Sequence, residues 1–277
     1  MKNAGLPTTN AQRRNPGDID QHSLTNNKPP MTNKILGIDI GGSAVKGAPV
    51  GTRTGLLLAE RYRIDTPEPV TPAKMAKLVA EVAGHFHWRG PIGIGFPGVI
   101  HGPRILTAPN LHQGFIGLDG GRLFSRATGC RVALINDAAA AGLAEMTFGA
   151  GCNFGGKVLL LTLGTGVGSV LFHRGAIFPC ELGHLPFKGK EAEKTVAASV
   201  RKKKNLSWSE WGRELNGYLS LLENILWPEI IILGGGVSAK HQKFFHYLKL
   251  RTKVVPAEFL NQAGMVGAAL WAARAKK

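Results

Sequence analysis

With 277 residues, 44% of them hydrophobic, the chain is long enough to bury a sizeable core, and its 37 glycines suit a turn-rich α/β protein, which excludes a disordered polymer. No apolar run approaches the ~20 residues of a membrane-spanning helix, and three scattered cysteines (Cys130, Cys152, Cys180) without CxxC spacing suit reduced thiols in the cytoplasm. The formal net charge of +16 points to a polyanionic partner: nucleic acid, an acidic membrane or an inorganic phosphate chain. Residues 151–277 hold most of the excess, 18 Lys/Arg against 8 Asp/Glu, although plain solubility charge also accounts for such a balance.

Residues 1–30 are polar, rich in Pro, Asn and Thr, and read as a flexible extension. Strands are expected over Ile35–Ile40, Val45–Val50 and Leu56–Ile64, joined by glycine turns. Thr71-Pro72 then opens a helix whose apolar stripe (Met75, Leu78, Val79, Val82, Phe86) is core. A strand runs from Ile92 into the turn Phe96-Pro97-Gly98. Arg131–Ile135 is the next buried strand, backed by an alanine-rich helix over Ala138–Phe148.

A second unit repeats the scheme, with strands Val158–Leu163 and Ser169–Phe172 around a Gly164–Gly168 turn. Ser207-Trp208-Ser209-Glu210 is a capping box for a long helix that Pro228 stops. Ile230–Leu233 ends in Gly234-Gly235-Gly236, and a small-residue helix over 263–275 closes the chain. The echo between halves implies two α/β domains, 31–135 and 136–277, with a cleft between them and the last helix able to pack back on the first.

Three strand-end elements carry the chemistry. Asp39 precedes Gly41-Gly42-Ser43, where missing side chains let a phosphate or hydrated metal approach the backbone, and Lys46 stands just beyond. Asn136-Asp137 ends a strand and starts a helix; Asn136 can cap the helix while Asp137 projects as a general base toward an attacking hydroxyl. Gly164-Thr165-Gly166 offers N–H groups and a hydroxyl to phosphate oxygens, and Gly234-Gly235 is a second, weaker turn of that kind. Neither turn is a P-loop, and no GxGxxG opens a helix. An Asp-Gly turn and a capping Asp are the ordinary alternatives for the two acids.

Glu181 and His184 form a pair that could bind a metal, but no third ligand accompanies them in sequence and a role on sugar hydroxyls fits better; surface decoration is the ordinary alternative. Asn110 adds a polar side chain in the loop after Gly98. Arg201-Lys202-Lys203-Lys204, preceded by Lys188, Lys190 and Lys194, is either a solvated face or a polyanion track. Trp208 and Trp211 follow it, a combination that also suits nucleic acid, but no nucleic-acid module accompanies it.

These pieces together resemble the ROK family of sugar kinases and repressors, and within it the polyphosphate-using glucokinases and glucomannokinases. The resemblance rests on Gly37–Ser43 with Lys46-Gly47, Gly95-Phe96-Pro97-Gly98, Asn136-Asp137-Ala138 and Gly164–Ser169. It continues through Glu181-Leu182-Gly183-His184, Gly189–Glu193 and Gly234–Ser238. It implies a two-domain actin-like (ribonuclease H-like) sugar-kinase fold with an interdomain active site. Asp137 would activate the glucose 6-hydroxyl, and Asn110, Asn136, Asp137, Glu181 and His184 would hold the sugar. Asp39, Gly41, Gly42, Ser43, Lys46, Gly164, Thr165, Gly166, Gly234 and Gly235 would surround the phosphoryl group, with Mg²⁺ near Asp39. Lys202, Lys203 and Lys204 would extend the donor site.

The implied partners are glucose, with mannose as a second acceptor, and inorganic polyphosphate, with ATP as an alternative donor; a homodimer is also implied. The CxCGxxGC zinc motif of ATP-dependent relatives is absent, so the resemblance implies no zinc site and leaves His184 free for the sugar. Ala139, where relatives usually have Asn or Asp, and a shortened loop with Cys180 are departures that bear on sugar preference. An ATP-preferring glucokinase is the first rival. A non-catalytic ROK-type regulator or nucleic-acid-binding protein is the second, disfavoured because residues 1–30 are too short and too rich in Pro and Asn for a helix-turn-helix.

Overall fold

Ile35, Leu36 and Ile38 cannot be left in water, and β1 (Lys34–Ile40) buries all three at the centre of a five-stranded sheet in this computed structural model. The structure describes residues 34–66, 70–109 and 111–275. The expected extension over 1–30 and the candidate Asn110 lie outside those residues. Along the chain come β2 (Ala44–Gly51), β3 (Tyr62–Asp65), α1 (Pro72–His85) and β4 (Ile92–Phe96). A small hairpin, β5 (Ile100–His101) and β6 (Arg104–Ile105), leads to α2 (Gly120–Thr128), β7 (Val132–Asn136) and α3 (Asp137–Phe148). The strand order is β3-β2-β1-β4-β7, an antiparallel meander on one side of β1 and two parallel strands on the other.

The second half repeats this plan. It comprises β8 (Val158–Leu163), β9 (Val167–His173), β10 (Ala176–Cys180) and the hairpin β11 (Pro186–Phe187) with β12 (Lys190–Glu191). Two short helices, α4 (Glu193–Val196) and α5 (Ala198–Lys203), precede α6 (Trp208–Leu226). The chain ends with β13 (Ile230–Gly234), β14 (Lys253–Pro256) and α7 (Ala263–Arg274). The order β10-β9-β8-β13-β14 again has a meander beside two parallel strands. This duplicated plan is the actin-like, ribonuclease H-like fold.

Helices α3 and α7 lie between the sheets. α7 packs on β1 and β4, α3 on β8 and β9, and the two helices pack on each other. Small residues make that possible: a Cβ at Gly267 would stand 1.6 Å from the Ala140 carbonyl oxygen. The outer face of the first sheet is closed by α1 and α2 through Met75, Val79 and Phe124. The outer face of the second is closed by α4 and α6 through Val196, Trp211, Leu215 and Leu219. Each such side chain contributes roughly 1.5–3 kcal/mol on burial. The buried Trp211 indole also donates to the Val196 carbonyl at 3.1 Å, which ties α6 to α4.

Helix starts follow the sequence signals. Thr71 accepts from the Lys74 amide ahead of Pro72, and Ser207 with Glu210 forms a complete capping box. The expected strand over Leu56–Ile64 is shorter, only β3. Gly51 donates to the Leu56 carbonyl around Gly55, whose φ is +72°, so the chain spends these residues reversing direction. The basic run lies largely on α5, with Arg201, Lys202 and Lys203 in its last turn.

Candidate active site

β1 delivers Asp39 to the end of the first sheet. The antiparallel register sets it opposite Lys46 on β2, whose ammonium lies 3.8 Å from the carboxylate. Both side chains are half-buried and line a cavity with Asp137, Glu145, Thr162, Gly234, Gly235, Asn261 and Gly264. Burial raises the Asp39 pKa, and the Lys46 charge and hydrogen bond oppose that rise. A Cβ at Gly264 would stand 2.9 Å from the Asp39 carboxylate, so only glycine lets α7 begin this close to the acid.

β7 ends at Asn136, whose side-chain oxygen accepts from the Ala139 amide at 2.9 Å and caps α3. Its amide nitrogen donates to the Gly98 carbonyl at 3.1 Å, tying the cap to the turn after β4. Asn136 therefore holds the first turn of α3, and Asp137 at its start faces the cavity. The Asp137 carboxylate accepts from its neighbour, the Ala138 amide, at 2.8 Å. Burial first, then the charge of Asp39, push its pKa up to about 7; the Ala138 hydrogen bond opposes this and Glu181 adds to it. An acid titrating near neutrality at the mouth of a cavity is suited to general-base work.

Gly234 and Gly235 line the Asp39 cavity, whereas Gly236 faces a second cavity of about 330 Å³ with Gly164, Thr165, Ser199, Arg201, Lys202, Trp208 and Lys240. The glycine run thus borders both spaces. Ser199 holds the facing turn, donating from its amide to the Gly164 carbonyl at 3.0 Å and from its hydroxyl to the Thr165 carbonyl at 2.6 Å. Gly166 turns toward Glu193, whose carboxylate accepts from the Val167 amide at 3.4 Å.

Glu181 and His184 stand 3.9 Å apart beside a short 3₁₀ turn, and the buried Tyr218 hydroxyl donates to the Leu182 carbonyl within it at 2.9 Å. Burial raises the Glu181 pKa; His184 opposes and Glu193 adds to the rise. The sequence leaves this pair without a third ligand. The β11–β12 hairpin folds Glu191 to 3.2 Å from His184, with Glu193 close by, so that ligand atoms of His184, Glu191 and Glu193 lie within 4.8 Å of one another; Glu181 is not part of this cluster. Glu191 and Glu193 both also pair with Lys194.

Several candidates stand apart from the cavities. Gly41, Gly42 and Ser43 form the β1–β2 turn but do not line the Asp39 cavity; the Gly41 amide donates to the Ala44 carbonyl at 2.9 Å. Of the basic run's lysines, Lys202 reaches the second cavity, while Lys203 and Lys204 are exposed and do not line it. Residues that sequence reasoning missed include Glu145, Thr162, Asn261, Gly264 and Lys240, whereas Arg201 of the basic run does line the second cavity. Glu145 is wholly buried and accepts from the Ala150, Glu258 and Phe259 amides, fastening the loop before α7 to the end of α3.

The Asp39 cavity sets the carboxylates of Asp39, Asp137 and Glu145 against the single ammonium of Lys46, and burial of Asp39 makes its negative charge costly. Hard oxygen donors short of positive charge fit a hydrated divalent cation of the magnesium type. All three cysteines are free thiols. Among the described residues, no helix is long and apolar enough to cross a membrane.

A polyphosphate glucokinase of Mycobacterium tuberculosis (strain CDC 1551 / Oshkosh) is 44% identical over 237 residues, covering 85% of this chain and 89% of the relative. A polyphosphate glucokinase of Mycobacterium leprae (strain TN) is 42% identical over 237 residues, 85% of this chain and 73% of the relative. The crystal structure of an inorganic polyphosphate/ATP-glucomannokinase from Arthrobacter sp. strain KM matches with a TM-score of 0.84 at 41% identity, covering 87% of this chain and 98% of that one. The family model described as ROK family matches residues 35–196, more than half of the sequence, and the chain belongs to the ROK family.

Proposed function

We propose that the protein is a polyphosphate–glucose phosphotransferase. It transfers the terminal phosphoryl group of inorganic polyphosphate to the 6-hydroxyl of glucose, giving glucose 6-phosphate and a chain one phosphate shorter. The observation that carries this reading is the placement of Asp137, with its pKa near 7, beside Asp39, Lys46 and the Gly234-Gly235 turn. The names of the relatives at 42–44% identity support the donor and acceptor.

Ionised Asp137 accepts the hydroxyl proton as the sugar oxygen bonds to phosphorus and the bridging P–O bond breaks, leaving the electron pair on the shortened chain. Asn110, Glu181 and His184 hold the other hydroxyls. Asn136 spends one N–H on Gly98 and one lone pair on Ala139, leaving a donor and an acceptor for the sugar. Lys46 and the turns Gly41-Gly42-Ser43, Gly164-Thr165-Gly166 and Gly234-Gly235 border the phosphates, and Lys202 extends the donor site, with Lys203 and Lys204 adding positive charge outside the cavity. Asp39 would hold Mg²⁺, which when bound neutralises charge on the donor phosphates.

We assign residues 31–135 and 136–277 to two domains that close on the sugar. Mannose is the proposed second acceptor, and ATP the second donor, a reading favoured by the dual name of the Arthrobacter relative. A cytoplasmic homodimer completes the proposal; three free thiols support the compartment. Initial rates of glucose 6-phosphate formation with polyphosphate and ATP side by side test the donor assignment. A higher kcat/KM with polyphosphate supports it, and exclusive use of ATP overturns it.

A further inference from the structure

The second cavity has no acid in its lining; its charged residues are Arg201, Lys202 and Lys240. Among the described residues, no carboxylate pairs with any of these three cations. Three unpaired cations around one concave space repel one another, and an anion relieves that cost. The single aromatic residue in the lining is Trp208. An indole face on a cavity wall can serve as a stacking platform for a base. Here the face is already occupied: the Arg201 guanidinium carbon lies 3.9 Å from the ring centroid. Phe244 lies parallel to the same indole, with centroids 5.9 Å apart and an interplanar angle of 11°. Arg201 is held there by a 3.0 Å hydrogen bond from Nη1 to the Leu206 carbonyl, leaving its remaining N–H groups for the cavity.

We propose that Arg201 determines donor specificity: it covers the Trp208 face on which a nucleobase would stack and turns this cavity into a subsite for an internal phosphate of a polyphosphate chain. Lys202 and Lys240 complete the subsite. The assignment rests on the polyphosphate reading above. A guanidinium on an indole loses little of its hydrogen-bonding capacity, because the ring meets its face while the N–H groups point outward in its plane. Phosphate is bound edge-on by those groups. A base arriving at the same place must first displace a stacked cation.

The test compares the parent, Arg201→Ala and Arg201→Lys as full-length proteins, with initial rates against glucose, linear polyphosphate and ATP. Arg201→Ala is expected to raise KM for polyphosphate about tenfold while KM for glucose stays within about twofold. The ratio of kcat/KM for ATP to that for polyphosphate should rise by at least about tenfold. Arg201→Lys keeps the charge but stacks less well, so the ratio should move the same way by a smaller factor; it also carries the test if the alanine variant does not fold. Adding Trp208→Leu to Arg201→Ala should remove the gain with ATP. An unchanged donor ratio in both single variants, or a gain that survives loss of Trp208, overturns the role of Arg201. A parent that makes no glucose 6-phosphate from polyphosphate overturns the functional reading itself and the assignment with it.

Discussion

Asp39 and Asp137 leave the first sheet on either side of β4 and line one cavity, and the charge on Asp39 is part of what lifts Asp137 to about 7. A base must be ionised to act, so kcat/KM for glucose should rise with pH along an acid limb centred near 7 and level off above it. Asp39→Asn removes the like charge. Its residual activity should show that limb displaced to lower pH. A limb that stays near neutrality in this variant means that Asp39 does not act on Asp137 through charge.

Raising the pKa of an acid on folding costs stability once the group has to ionise. The penalty is absent where Asp137 is protonated in both states, grows as pH passes from the ordinary carboxylate range to about 7, and is constant above. Asp137→Asn retains the hydrogen bond from the Ala138 amide and loses the charge. The variant should be more stable than the parent at pH 8 by on the order of 2 kcal/mol, after discounting for a half-buried site, with the gain fading toward pH 4. Thermal melts across that range check it, and a gain independent of pH contradicts it.

Asn136 joins the α3 cap to the turn after β4 through its bonds to Ala139 and Gly98. Asn136→Ala should therefore cost about 1–2 kcal/mol of stability and raise KM for glucose. Asn136→Asp keeps the cap acceptor and loses the amide donor, so its melting temperature should fall between the other two. An alanine variant that melts with the parent would show that the cap is dispensable.

Lys202 lines the second cavity and Lys203 and Lys204 do not. Lys202→Ala should raise KM for long polyphosphate more than either neighbour's substitution. It should also make the salt dependence of polyphosphate binding shallower by roughly one counterion. Equal effects at the three positions would spread the donor contact along the whole run.

Asp39, Asn136, Asp137 and the glycine turns were legible because each is local: an acid or glycine at the end of an apolar run announces itself within a few residues. The long-range partners were not. Asn261 and Gly264 reach the Asp39 cavity only because α7 returns to β1 and β4, and the small-residue character of that helix was its one advance sign. Glu145 looks like a helix-surface acid until its carboxylate is seen to bind amides of the loop before α7. Glu191 meets His184 through a tight hairpin whose turn holds Lys188 and Gly189 at positive φ. The strand expected over Leu56–Ile64 forms only from Tyr62 because the apolar residues before it serve a chain reversal, with Leu56 and Leu58 left exposed.

The most direct measurement is ³¹P NMR of the pure protein with glucose, Mg²⁺ and linear polyphosphate, run for the parent and for Asp137→Asn. The parent should show a glucose 6-phosphate resonance growing as the polyphosphate chain shortens. Asp137→Asn should slow this about 10²–10⁴-fold while still binding glucose. Near-parental turnover in Asp137→Asn, or no sugar phosphate from the parent, would contradict the account.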